Sequence, residues 1–259
     1  TRYGVANACA MSLEAGADLV LMKAENELVE ETIAAIRSFV ESGRISQEEL
    51  DKKVYRILDL KYRYGLFFDH NNHEEIPEAV IQDKAIVNLA KQAARRSVLV
   101  GRDKEGWLPL KKDEKILVVE QKVKAYNSFQ WHSGILYENC LKYNPNTVYQ
   151  ETDYTWDEKD QQTVFERADE FDTVVVTNYF IRGKLCNREA IEELIEKASA
   201  AGKKVVVVTN TPYEEISIPH NAKCVVITFA TSPENIKVTA GALFGEIQPE
   251  GVWPVKYHG

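Results

Sequence analysis

The residues best placed by type and spacing to do chemistry lie in Glu151-Thr152-Asp153-Tyr154-Thr155-Trp156-Asp157-Glu158, where carboxylates stand beside a tyrosine and a tryptophan. An acid that moves a proton next to a ring that stacks is a combination suited to sugars. The same eight residues also suit a solvated loop entering a helix, with Thr155 or Asp157 as its N-cap. Tyr126, Phe129, Trp131 and Tyr137 offer further faces for a sugar ring, and equally the bulk to pack a loop and a helix against a sheet. His70 and His73 sit among Asp69, Glu74 and Glu75. Their types could hold a metal, but the spacing fits no regular ligand pattern and suits a solvated loop as well. Cys9, Cys140, Cys186 and Cys224 form no C-x-x-C pair, so neither a zinc site nor a redox motif is indicated. Around Glu120-Gln121-Lys122 and Asn178-Tyr179-Phe180 there is no glycine-rich phosphate loop, and no G-x-S-x-G elbow occurs in the chain. No metal and no cofactor are expected.

The elements that must position these residues fall into two groups. The chain has 259 residues, 44% of them hydrophobic and 28% charged, enough for one large or two ordinary domains with real cores. With a formal charge of −8 and no basic run interleaved with aromatics, nucleic acid is not an expected partner. No stretch is long and apolar enough to span a bilayer, and Thr1-Arg2-Tyr3-Gly4 does not open a signal peptide. The first residue is Thr, so the native N-terminus is expected to lie elsewhere and localisation, cytoplasmic or secreted, stays open.

In residues 1–68 the pattern predicts a helix over Val5–Glu14 and a buried parallel strand over Asp18-Leu19-Val20-Leu21-Met22. A helix over Leu28–Ser42, closed by Gly43, follows. A second begins at the capping box Ser46-Gln47-Glu48-Glu49, with Leu50, Val54, Ile57, Leu58 and Tyr62 as its buried stripe. The strand has no earlier strand to pair with. Residues 69–77 are polar and read as a linker.

From 78 to 259 helix and strand alternate. A helix over Glu78–Ser97 leads into Val98-Leu99-Val100, and Leu108-Pro109-Leu110 reads as an edge or crossing segment. Val- and Ile-rich runs at Ile116–Glu120, Thr173–Thr177, Lys204–Thr209 and Lys223–Phe229 have the unalternating character of parallel strands buried on both faces. A weaker strand is expected at Thr147–Tyr149. Helices over Ser133–Tyr143, Asp157–Ala168, Arg188–Ala201 and Pro233–Leu243 cover them. The expected fold is α/β: a three-layer α/β/α sandwich with a mostly parallel, flavodoxin-like sheet.

Several stretches together resemble one family. Leu13-Glu14-Ala15-Gly16-Ala17-Asp18-Leu19-Val20-Leu21-Met22 is similar to the last barrel strand of family 3 glycoside hydrolases, and Val54 to Phe67 to the helix that closes that barrel. Ala93–Val100, Leu108–Leu110, Val207–Tyr213 and Gly241–Val255 extend the resemblance across the second domain. The last departs from the family's usual Ser-Gly-Lys-Leu-Pro, having Glu250-Gly251-Val252-Trp253-Pro254 instead.

The resemblance implies that residues 1–68 are the end of a truncated (β/α)8-type barrel and 78–259 the α/β sandwich domain. It also implies a retaining glycosidase that acts on carbohydrate, more a β-N-acetylhexosaminidase than a β-glucosidase. The catalytic aspartate would lie upstream of Thr1, so no catalytic residue is expected in this chain, and the chain alone would be inert. Family members acting on N-acetylglucosaminides keep a His-Asp acid/base pair on an earlier barrel loop, whereas β-glucosidase-like members take a glutamate from the second domain. A barrel binds substrate at the carboxyl ends of its strands. For Asp18–Met22 that end offers Lys23, Glu25 and Asn26 as substrate-binding groups, with capping of the next helix as their other reading. Self-association through the exposed barrel remnant is expected. A non-catalytic module that binds glycan or protein is the reading from another class.

Overall fold

The computed structural model describes residues 2–23, 25–68, 83–122, 133–180 and 186–254. The chain divides into two compact units, Thr1–Ile76 and Pro77–Gly259. The expected linker, residues 69–77, lies outside the described residues, as do His70 and His73.

Among its described residues the first unit has three helices: α1 (Val5–Glu14), α2 (Asn26–Glu41) and α3 (Gln47–Arg63). Ala10 and Leu13 of α1 meet Phe39 of α2 and Ile45 in a small core. Gly43 has the left-handed φ of 77° that ends α2. Ser46 caps α3, its Oγ accepting from the Glu49 amide at 3.1 Å. Two expectations fail here. Asp18–Met22 is no strand, because a strand exists only through its ladder and no described segment pairs with it. Leu19 is 68% and Leu21 95% exposed. What fixes the start of this segment is polar: Arg56 Nε donates to Asp18 Oδ2 at 2.8 Å and Lys53 Nζ to the Ala17 carbonyl at 2.9 Å. The α3 stripe is not buried either. Leu50 touches the small core, while Val54, Leu58 and Tyr62 are exposed: the sequence pattern reports a face that expects cover, and the described residues supply none.

The second unit is built on a six-stranded sheet in the order β1-β6-β5-β4-β2-β3. The strands are β1 (Leu99–Asp103), β2 (Ile116–Gln121), β3 (Thr147–Thr152), β4 (Thr173–Thr177), β5 (Lys204–Thr209) and β6 (Cys224–Ile227). β2 to β6 are parallel, and β1 pairs antiparallel with β6, with a register shift between Val100 and Arg102. Without β1 the order is that of a flavodoxin-like sheet. The helices are α4 (Lys84–Ser97), α5 (Ile135–Leu141), α6 (Glu158–Ala168), α7 (Arg188–Ala200), α8 (Glu214–Ser217) and α9 (Pro233–Leu243).

Alternate strand residues serve opposite faces, as the two-residue period requires. Val118, Val175, Val206 and Val226 face Leu136 of α5 and Ile236 and Leu243 of α9. Val119, Val176, Val207 and Val225 face Val164 of α6 and Ile191 and Leu194 of α7. Each such side chain contributes roughly 1.5–3 kcal/mol on burial, which makes this sheet the stable part of the molecule. The three-layer sandwich is as the pattern implied.

Boundaries differ in detail. β3 runs on to Thr152, and β6 stops at Ile227, just before Phe229 takes a left-handed φ of 55°. Leu108–Leu110 crosses rather than pairs in a ladder, with the Leu110 amide bonded to the Leu243 carbonyl at 2.7 Å. α4 starts at Lys84, capped by Asp83, which accepts from the Ala85 amide at 2.7 Å; residues 78–82 lie outside the described residues. The short α8 was not expected.

Candidate functional site at the carboxyl edge of the sheet

In the parallel sheet all carboxyl ends of β2 to β6 lie along one edge. The connection from β2 runs outward to β3 and those from β4 run the other way, to β5 and β6. The reversal between β2 and β4 is the topological switch point, where open α/β sheets bind ligands.

Glu120 ends the Val-rich run of β2 and is only 4% exposed. Its carboxyl group takes the place of a cap for α5: the Leu136 amide donates to Oε1 at 3.2 Å and the Tyr137 amide to Oε2 at 3.3 Å. Burial pushes its pKa up to about 7; the two amides pull the other way, and the Glu138 carboxylate adds to the rise. Burial likewise raises the Cys140 thiol and the Tyr179 phenol, each with Glu120 nearby. The Tyr179 hydroxyl is buried with no hydrogen-bond partner among the described residues. Its raised value makes Glu120 an acid-base feature of this edge, but it is enclosed and already engaged with backbone.

Around it, side-chain amides complete the backbone bonds that strand ends leave open. Gln121 accepts from the Tyr179 amide at 2.6 Å and donates to the Tyr154 carbonyl at 2.7 Å, while its own amide donates to Thr177 Oγ1 at 2.9 Å. Asn178 donates to the Ser217 carbonyl at 2.7 Å and accepts from the Asn187 amide at 2.9 Å. Asn210 accepts from the Phe180 amide at 2.7 Å and donates back to the Phe180 carbonyl at 3.1 Å. The Tyr154 hydroxyl donates to the Tyr179 carbonyl at 2.7 Å. None of these amides or hydroxyls changes charge near neutrality. The network can hold loops in place and cannot by itself move protons. It escaped sequence reading because it follows no motif; the available signal was a polar residue directly after each buried run, Gln121, Asn178 and Asn210.

The acidic stretch takes its structural reading. Asp157 caps α6, accepting from the Asp160 amide at 2.8 Å, and Asp160 accepts from the Asp153 amide at 3.0 Å. Glu151 is held low by hydrogen bonding from Ser133 and by Lys122, whose Nζ is 3.4 Å away. Tyr137 stacks on Tyr149 with centroids 5.2 Å apart; Tyr126, Phe129 and Trp131 lie outside the described residues. Among the described residues no group of three or more His, Cys, Asp and Glu could hold a metal ion, and the four cysteines are free thiols.

In the first unit, Lys23, Glu25 and Asn26 are exposed. Glu25 occupies the N-cap position of α2 without a side-chain cap bond, and Asn26 is already helical, so Asn26 is not the cap that its type suggested.

Residues 97–258 match the family model described as Glycosyl hydrolase family 3 C-terminal domain, and residues 1–60 match the Glycosyl hydrolase family 3 N terminal domain. A protein of Formosa agariphila, provisionally named a beta-xylosidase, is 26% identical over 96% of this chain and 35% of its own length. Among solved structures, a family 3 beta-N-acetylglucosaminidase from Paenibacillus superposes with a TM-score of 0.66 at 24% identity, covering 96% of this chain and 47% of that one. A beta-glucosidase from Listeria innocua gives 0.58 at 22% identity, over 93% and 36%. The chain thus spans about a third of the length of the curated relative and under half of either solved structure. With the larger family model covering more than half of its residues and the sandwich fold on the page, the chain belongs to glycoside hydrolase family 3.

Proposed function

We propose that the chain works as part of a larger retaining glycosidase that hydrolyses O-glycosyl bonds of terminal β-N-acetylhexosaminides, with its catalytic nucleophile outside the chain. The observation that carries the reading is the first unit. It matches the family's N-terminal domain, yet Leu19 and Leu21 stand exposed in a segment that no described strand pairs with. At roughly 1.5–3 kcal/mol each, side chains of this kind call for cover by further barrel elements. In the chain on its own they favour self-association.

The preference for hexosaminides rests on the acids. Retaining hydrolysis needs two carboxyl-type groups about 5 to 5.5 Å apart. The residues that follow the two switch-point strands, 122–134 and 178–187, contain neither Asp nor Glu, and Glu120 is occupied by α5. The loops that follow the two switch-point strands therefore carry no Asp or Glu to serve as acid/base, which suits a protein that draws it from the barrel. Lys23, Glu25 and Asn26 are assigned to the sugar-binding rim of that barrel.

A second reading, a β-xylosidase or β-glucosidase, draws on the names of curated relatives. A panel of nitrophenyl β-N-acetylglucosaminide, β-xyloside and β-glucoside assayed with the complete gene product separates the two. The first substrate is expected to give the highest kcat/KM; a higher value for the xyloside or glucoside would overturn the assignment.

A further inference from the structure

The sheet ends at β3, and a terminal strand presents unpaired backbone groups to any extended chain that meets it. The Lys122 amide donates to the Thr152 carbonyl at 2.6 Å, so the peptide groups of Thr152 point towards β2. The two-residue alternation turns Gln150 and Val148 the same way and leaves those of Thr147, Tyr149 and Glu151 facing outward. Three of these outward groups are taken by the chain itself. The Thr147 amide donates to the Asn144 carbonyl at 3.2 Å. Arg167, in the last turn of α6, donates through Nη1 to the Tyr149 carbonyl at 3.0 Å. Gln150 donates through Nε2 to the Glu151 carbonyl at 2.7 Å. The two side chains also hold each other, with the same Arg167 Nη1 donating to Gln150 Oε1 at 2.6 Å. The outward amides of Tyr149 and Glu151 have no partner among the described residues.

We propose that Arg167 and Gln150 form a guard that keeps the β3 edge closed, and that without it the edge pairs antiparallel with β3 of a second copy. The guard occupies two of the three outward carbonyls, those of Tyr149 and Glu151, which an incoming strand would need as acceptors, and most of what it leaves are amides that cannot complete a ladder alone. The partner follows from the segment's own chemistry. Thr147-Val148-Tyr149-Gln150-Glu151-Thr152 is rich in β-branched and aromatic residues and contains no Pro or Gly. A two-fold axis through Tyr149 places Thr147 opposite Glu151, so that no like charges face each other across the pair.

The test is residue-resolved amide exchange at Tyr149 and Glu151 in the full chain and in a Gln150→Ala/Arg167→Ala variant, from about 1 to about 100 µM protein. In the parent chain the two rates should not change with concentration. In the variant they should slow by about tenfold or more at the upper end, while Val175 in β4 stays as it was. Association through the first unit would act on both proteins alike and drops out of the comparison. Rates in the variant that stay within about twofold across the range, or a parent chain that slows as much, would overturn the proposal. Should circular dichroism show the double variant unfolded, Gln150→Thr keeps a strand-forming surface and frees only the Glu151 carbonyl. A concentration-dependent slowing of about threefold is then expected, and its absence would equally overturn the proposal.

Discussion

Replacing Glu120 by Gln removes one proton-binding site from the interior of the second unit and leaves an oxygen that can still accept from Leu136 or Tyr137. The carboxyl group has a pKa of 4.5 in an unfolded chain and about 7 when buried in β2. Its folded value is raised, so the folded state holds the proton more tightly. Below pH 4.5 both states are protonated and the group is neutral in the balance. As pH rises from there to about 7, the unfolded chain releases its proton first and the folded protein loses stability by up to about 1.4 kcal/mol per pH unit. Over the window fixed by the two values, the loss reaches about 3 kcal/mol. The Gln variant has no such slope. Urea unfolding at a series of pH values provides the assay, followed by tryptophan fluorescence, since Trp107, Trp131, Trp156 and Trp253 all lie in the second unit. The stability of the parent minus that of the variant should fall by about 3 kcal/mol between pH 4.5 and about 7 and then level off. A difference that stays constant within about 0.5 kcal/mol would refute the argument that burial, rather than the α5 amides, controls this carboxyl group.

Other consequences concern packing, the loop network and the barrel rim. A Cβ at position 251 would lie 2.4 Å from the Val98 carbonyl oxygen and 2.6 Å from that of Ser97. Gly251→Ala should therefore destabilise the second unit by about 1–3 kcal/mol in the same urea assay, and an unchanged midpoint would contradict the close approach. Gln121→Leu leaves the Tyr179 amide without its Gln121 partner and takes from the Tyr154 carbonyl one of its two side-chain donors, Asn187 being the other; a loss of about 1–3 kcal/mol and faster exchange of the Tyr179 amide are expected. Lys23→Ala/Glu25→Ala in the complete gene product should lower kcat/KM for its best glycoside by more than about twofold, and a smaller change would make these residues structural.

How much of this was legible in the sequence depended on where each element finds its partners. β4, β5, α1 and α9 were read from the sequence almost to the residue, because unalternating Val runs and amphipathic stretches carry their own burial requirement. Asp18–Met22 carries the same signature, yet forms no strand. Composition records the environment a segment needs, while a ladder also needs a neighbour. The exposed Val54, Leu58 and Tyr62 repeat the lesson on a helix. At the site, the caps Ser46 and Asp157 were visible because capping is local in sequence. The Gln121–Tyr154–Tyr179 and Asn178–Asn187–Ser217 links were not, since they join positions brought together only by the strand order. Glu120 read as one more polar residue at a strand end; its enclosure depends on α5 packing over it.

The account rests most heavily on the claim that this chain supplies no catalytic nucleophile. A retaining enzyme forms a covalent glycosyl intermediate, so the direct measurement is mass-spectrometric mapping of the complete gene product after trapping with a fluorinated glycosyl fluoride. The label is expected on an aspartate in a peptide outside residues 1–259; a label on any residue of this chain would contradict the account.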